Sequence, residues 1–133
     1  MTVHPVAVLK AALRALWLAR PDLAAAFGER IVETLPPGPG LPFLLMGEAS
    51  CRDEPGGHGV ELGLLLVNAE EGTAGLLALL AGLEAALADL PAAGPARRIV
   101  SARLAEARIA HDPREGRSEA RLRLRAFLET PED

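Results

Sequence analysis

Residues 116–129 read GRSEARLRLRAFLE. From Gly116 onward the side chains alternate strictly. Ser118, Ala120, Leu122, Leu124, Ala126 and Leu128 fall on one side, and Arg117, Glu119, Arg121, Arg123, Arg125, Phe127 and Glu129 on the other. Strand side chains repeat every second residue, so one apolar and one charged face predict a strand that covers a core on one side only. Just upstream, Asp112-Pro113 within His111–Glu115 is a turn signal, and Arg97–Ala110 is strand-like with moderate alternation. Together they predict a closing antiparallel hairpin.

Working outward, Pro91–Pro95 is a connector, and before it an Ala/Leu helix runs to about Asp89 with Leu76, Leu80, Leu83 and Leu87 as its apolar stripe. Asn68 or Thr73 is a candidate cap, and Glu70 and Glu71 complement the helix dipole. Val60–Val67 reads as a strand with Val60, Leu62, Leu64 and Leu66 on one face. It returns from Leu41–Ala49, a strand that is apolar on both faces, through a polar loop expected at Ser50–Gly59. The stiff run Pro36-Pro37-Gly38-Pro39-Gly40 belongs in neither a helix nor a central strand. Ile31–Leu35 is a short strand. Residues 6–19 form an opening helix through Val6, Leu9, Leu13, Leu16 and Trp17, stopped by Pro21. Asp22 is expected to cap a short turn at Leu23–Phe27, which Gly28 ends. Strands and helices are grouped rather than alternated one for one. The expected fold is therefore α+β: a two-layer, mostly antiparallel sheet packed with two main helices, residues 1–133 forming one domain.

Composition narrows the function. Half of the 133 residues are hydrophobic but only 3% are aromatic, and the apolar mass is mostly Ala and Leu. Few rings and a net charge of −4 argue against single-strand stacking platforms and general nucleic-acid binding. The single cysteine, Cys51, excludes an intrachain disulfide framework and a Cys-only zinc cluster. The Ala/Leu run Gly72–Leu83 is far short of the ~20 apolar residues a spanning helix needs, and Lys10 and Arg14 interrupt the N-terminal apolar stretch. A soluble intracellular protein without membrane contact is expected.

Candidate chemistry is sparse. Cys51, Asp53 and His58 share one segment, and a Cys–His pair can be a nucleophile with its base. The plainer reading is an incidental cysteine. His111-Asp112 offers two metal ligands where three or four are needed. Gly56-Gly57-His58-Gly59 lacks the ending of a phosphate loop, and Glu71-Gly72-Thr73-Ala74-Gly75 puts acids where an anion would sit. The largest charge feature is the run from Arg97 to Arg125, with 9 arginines against 4 acids. Acidic flanks lie at Glu70–Asp89 and Glu129–Asp133. Such segregation suits pairing between subunits, edge protection or a solvated sheet face, and nucleic-acid contact is the reading that the acidic net charge and missing aromatics favour least.

Taken in order, these features resemble the small tail-completion, or tail-terminator, proteins of long-tailed bacteriophages, prophages and gene transfer agents. The resemblance covers nearly the whole chain. It runs through the Ala-rich opening helix, Gly28-Glu29-Arg30-Ile31, the proline-rich connector, Leu41-Pro42-Phe43, a polar loop, an apolar strand, an Ala/Leu helix, and a closing hairpin at Val100–Arg103, Asp112–Gly116 and Arg121–Arg125. The sequence departs from the family pattern where Leu64-Leu65-Leu66-Val67 replaces an aromatic-bearing middle strand.

The resemblance implies a structural protein of a virion or phage-like particle, assembled in the bacterial cytoplasm. It implies a homo-oligomeric ring, commonly a hexamer, at the head-proximal end of the tail. Its partners would be the tail-tube protein and a head-tail connector or stopper, with DNA passing through the channel without specific binding. It implies no catalytic residue, no metal and no cofactor. The candidate subunit or tube interface is Arg52, Asp53 and Glu54 with Arg117, Arg121, Arg123 and Arg125. Two rivals are a monomeric intracellular binding module with a regulatory role, and a small enzyme using Cys51 and His58.

Overall fold

The computed structural model describes residues 4–69, 72–90 and 99–130. Glu70, Glu71, the Pro91–Pro95 connector, Arg97, Arg98 and the final Pro131–Asp133 lie outside these. The elements follow in the order α1 (Pro5–Leu18), α2 (Pro21–Phe27), β1 (Ile31–Val32), β2 (Phe43–Glu54), β3 (Gly57–Ala69), α3 (Ala74–Ala86), β4 (Ile99–Asp112) and β5 (Arg117–Glu129), with a single 3-10 turn at Leu87–Asp89 after α3. The five strands form one sheet in the order β1-β2-β3-β5-β4. Among the described residues only the short β1–β2 pairing is parallel. The fold is α+β, with helices on one face of a mostly antiparallel sheet.

The core lies between the helices and the inner sheet face. Val60, Leu62, Leu64 and Leu66 of β3 and Ala120, Leu122, Leu124, Ala126 and Leu128 of β5 meet Leu9, Leu13 and Trp17 of α1, Leu23 and Phe27 of α2, and Leu76 and Leu83 of α3. The strict alternation of β5 is reproduced residue by residue, with Ser118 as its buried polar member. The Trp17 indole N–H donates to the Leu83 carbonyl at 3.1 Å, joining α1 to α3 inside the core. At the end of α3 the cap N–H groups turn to the Glu84 and Ala85 carbonyls, the tightening expected of a helix passing into a 3-10 turn.

Three local expectations need correction. Asp22 does not cap α2: Arg20 holds that position without a side-chain bond, Pro21 opens the helix, and Asp22 lies in the first turn. A proline at the first helical position loses no bond, because that N–H would have no intrahelical partner. Asn68 lies within β3; Thr73 does hold the cap position of α3, its carbonyl accepting from Leu77 N, but without a side-chain hydrogen bond. The largest revision concerns Ser50–Gly59. It is not a loop: β2 runs to Glu54 and β3 starts at Gly57, so Pro55-Gly56 alone makes the turn. Gly56 has φ +86°, the conformation required of the third residue of a Pro-Gly type II turn. Gly57 has no room for a side chain, since a Cβ there would meet the Leu128 carbonyl oxygen at 2.0 Å. Residues 47–54 are exposed on both faces, so the hydrophobic alternation that would mark them as strand is missing.

Besides the β1–β2 pairing and the Lys10–Glu33 ion pair, the Arg30 side chain fastens the segment Gly28–Phe43. Arg30 donates from Nε to the Pro42 carbonyl and from Nη2 to the Ala26 carbonyl, each at 2.9 Å, while its own carbonyl accepts from Leu44 N at 2.8 Å. Arg30 thus ties the end of α2 to the start of β2 across the proline-rich connector. Arg30→Ala is expected to destabilise the protein by about 1–3 kcal/mol, because two half-buried carbonyls lose a charged donor. Urea denaturation measures this, and an unchanged midpoint would contradict it.

Candidate interaction surface

Among the described residues no helix covers the outer face of the sheet. On β5 it carries Glu119, Arg121, Arg123, Arg125 and Phe127. The strand register sets Glu61 of β3 and Arg103 of β4 on either side of Arg125, and places Glu106 beside Arg123 and Arg108 beside Arg121. The arginine run thereby becomes an interleaved field. Arg125 Nε reaches Glu61 Oε1 at 2.8 Å, Arg108 Nε reaches Glu106 Oε1 at 2.8 Å, Arg123 Nη1 reaches Glu106 Oε2 at 3.5 Å, and Arg121 Nε reaches Glu119 Oε1 at 3.7 Å. The Arg108 hydrogen bond and charge, with the Arg123 charge beyond it, hold the Glu106 carboxyl below its ordinary value. These pairs are solvent-exposed, and such pairs are worth little to stability.

The seven predicted interface residues do not form one cluster. Arg52, Glu54 and Arg125 line an open groove of ≈ 440 Å³, together with Glu61, Arg103 and Phe127. Arg121 and Arg123 line a neighbouring cleft of ≈ 270 Å³ with Glu106 and Arg108. Arg117 pairs with Asp112 and Ala69 at the opposite end of the sheet. Asp53 pairs with His58 on the inner side of the β2–β3 hairpin, not in the groove. The sequence reading missed Glu61, Arg103, Glu106 and Arg108 as members of this face. The alternation of Val60–Val67 already points Glu61 away from the core. Its meeting with Arg125, 64 residues later, depends on the β3–β5 register.

Cys51 and His58 lie on adjacent strands, β2 and β3, but in different rows. Cys51 is exposed and sits across from Val60, and no hydrogen bond joins it to His58. His58 Nδ1 instead lies 3.1 Å from Asp53 Oδ1, without hydrogen-bond alignment. His111 Nε2 accepts from Gly72 N at 3.0 Å, and Asp112 Oδ1 accepts from Arg114 N at 2.9 Å. The histidine thus anchors the approach to α3 and the aspartate shapes the β4–β5 turn. Among the described residues no group of three or more His, Cys, Asp or Glu side chains is placed to hold a metal ion, and no helix is long and apolar enough to cross a membrane.

No curated protein sequence matches the chain. The solved structure of the virion of a native gene transfer agent particle contains a chain with the same fold. It superimposes with a TM-score of 0.74 at 24% identity, covering 97% of this chain and 100% of that one. The family model described as tail completion protein gp17 matches residues 11–129, from the middle of α1 to the end of β5, and the chain belongs to that family.

Proposed function

We propose that this tail completion protein assembles into a ring, of six copies as its family resemblance implies, at the head-proximal end of a phage-like tail. There it stops growth of the tail tube and presents a surface to the head connector or stopper. The family is a structural one, and the tail of a virion or gene-transfer particle is its place of work. The observation that carries the finer reading is the outer sheet face. Among the described residues it is bare of helices, and it is charged with both signs, which suits contact with a partner. Mixed charges fix the register and orientation of a partner more than they add affinity. The net charge of −4 suits a channel that lets DNA pass without holding it.

Mass measurement in solution, repeated with growing tail tubes, tests the proposal. The expected result is a discrete multiple of the 14.0 kDa chain and tubes that stop lengthening once the protein binds their ends. A chain that stays monomeric at every concentration and leaves tube length unchanged would favour a monomeric binding module instead.

A further inference from the structure

Among the described residues both lateral edges of the sheet are open. β4 bonds to β5 on one side only, so its 14 residues present a row of unpaired N–H and C=O groups on the other, ~46 Å long at strand rise. On the far side β1 covers β2 only at Leu44 and Leu45. The stretch from Gly47 to Glu54 therefore has no strand neighbour on its outer edge among the described residues and is solvent-exposed on both faces. Such a long exposed edge is a template for pairing with another chain.

We infer that these two edges pair with each other between copies: the Ser101–Leu104 segment of β4 adds to the open edge of β2 in the next copy. This rests on the ring reading and says how the ring closes. Four observations support it. The two edges are unlike and lie on opposite sides of one sheet, so their contact is head-to-tail, and a head-to-tail contact whose rotation closes makes a ring. Their directions agree: β2 and β3, β3 and β5, and β5 and β4 are each antiparallel, so β4 runs antiparallel to a β2 that continues the sheet. The open β2 stretch is acidic, with Glu48, Asp53 and Glu54 against Arg52, whereas Arg103 of β4 makes no ion pair among the described residues. Finally, the register irregularities of β4 fall between Ile99 and Ser101 and between Leu104 and Glu106. They bracket the regular stretch Ser101–Leu104, which lies level with the open part of β2, whereas the other regular stretch, Glu106–Asp112, lies level with the end of β2 that β1 covers.

The register names a test. Cys51, Val60, Ala126 and Ala102 occupy one row across the four strands. If the sheet continues without stagger, Cys51 of the next copy lies level with Ala102 and on the same face. Cys51 is the chain's only cysteine and is exposed. Within one copy Cys51 and Ala102 are separated by two intervening strands, ~14 Å at strand spacing, too far for a disulfide, which needs Cα atoms under ~7 Å apart. Any such bond must therefore join two copies.

Ser101→Cys, Ala102→Cys and Arg103→Cys are made one at a time in the full chain. Each is oxidised mildly, run on a non-reducing gel and sized in solution in parallel. A disulfide ladder extending beyond the dimer is expected from at least one of them, most strongly from Ala102→Cys. The ladder should vanish when Cys51→Ser is added, and Ala25→Cys on α2 should give none. Particles of ring mass without a ladder from any of the three would overturn edge pairing while leaving the ring intact. A monomeric mass without a ladder would overturn both. Cross-linking that stops at the dimer would mean two-fold pairing and would also overturn the inference.

Discussion

Trp17→Ala is expected to leave the protein at the limit of folding. The indole is fully buried, with 0% of its surface exposed, and it is the largest side chain in the core. It sits in the last turn of α1 and bonds to the Leu83 carbonyl of α3, so its removal empties the junction of two helices and strands a buried acceptor. Truncating a buried tryptophan to alanine costs about 3–5 kcal/mol, against a total stability of about 5–15 kcal/mol for a domain. Trp17→Phe separates the two contributions. It keeps most of the packing and loses the hydrogen bond, so a loss of about 1–3 kcal/mol is expected. Urea denaturation of both variants gives the comparison. A loss below ~1.5 kcal/mol for Trp17→Ala would show that the helices repack around the space, at the mild end of the range seen for core truncations.

Reversing Arg121 and Arg123 to glutamate together is expected to abolish assembly and leave the fold intact. Both side chains are exposed, at 70% and 53%, and neither reaches the core. The register also makes the two changes offset one another. Arg121 lies across from Arg108, so a glutamate there gains a partner, whereas Arg123 lies across from Glu106, so a glutamate there meets a like charge. Cross-strand charge pairs are worth roughly 0.2–1 kcal/mol each, and the monomer's stability should change by less than that. At an interface, like charges brought together cost several kcal/mol, which corresponds to a loss of assembly of about a hundredfold or more. The double variant should keep its denaturation midpoint and fail to cap tail tubes. Normal capping by a folded double variant would remove the β5 arginines from the interface.

These predictions draw on different amounts of sequence information. Trp17 belongs to a helical stripe, and β5 to an alternation so regular that every inward residue was legible. In both cases one face is buried, and burial is what writes a period into a sequence. The same logic explains the misreading of Ser50–Gly59. That hairpin end is exposed on both faces, so nothing selected an apolar period there, and the Pro55-Gly56 turn was hidden among other polar residues. Arg30 was legible as part of a family motif, but its two carbonyl partners, in α2 and beside β2, were not.

The interface residues divide in the same way. The sequence by itself determined that β5 presents arginines on the side opposite its core face, because strand geometry alone sends alternate residues to opposite faces. It also determined the α+β class, the apolar stripes of α1 and α3, and the family. Only the tertiary structure decided which charges meet. Glu61 reaches Arg125, Glu106 lies between Arg108 and Arg123, and Asp53 turns to His58 instead of joining Arg52 and Glu54 on the outer face. The tertiary structure likewise decided which strands end the sheet, and so which edges stay open. Strand order and register come from long-range pairing, where a shift of one residue moves every side chain to the other face. No local pattern in the chain encodes that choice; it is made when the two hairpins pack side by side under the helices.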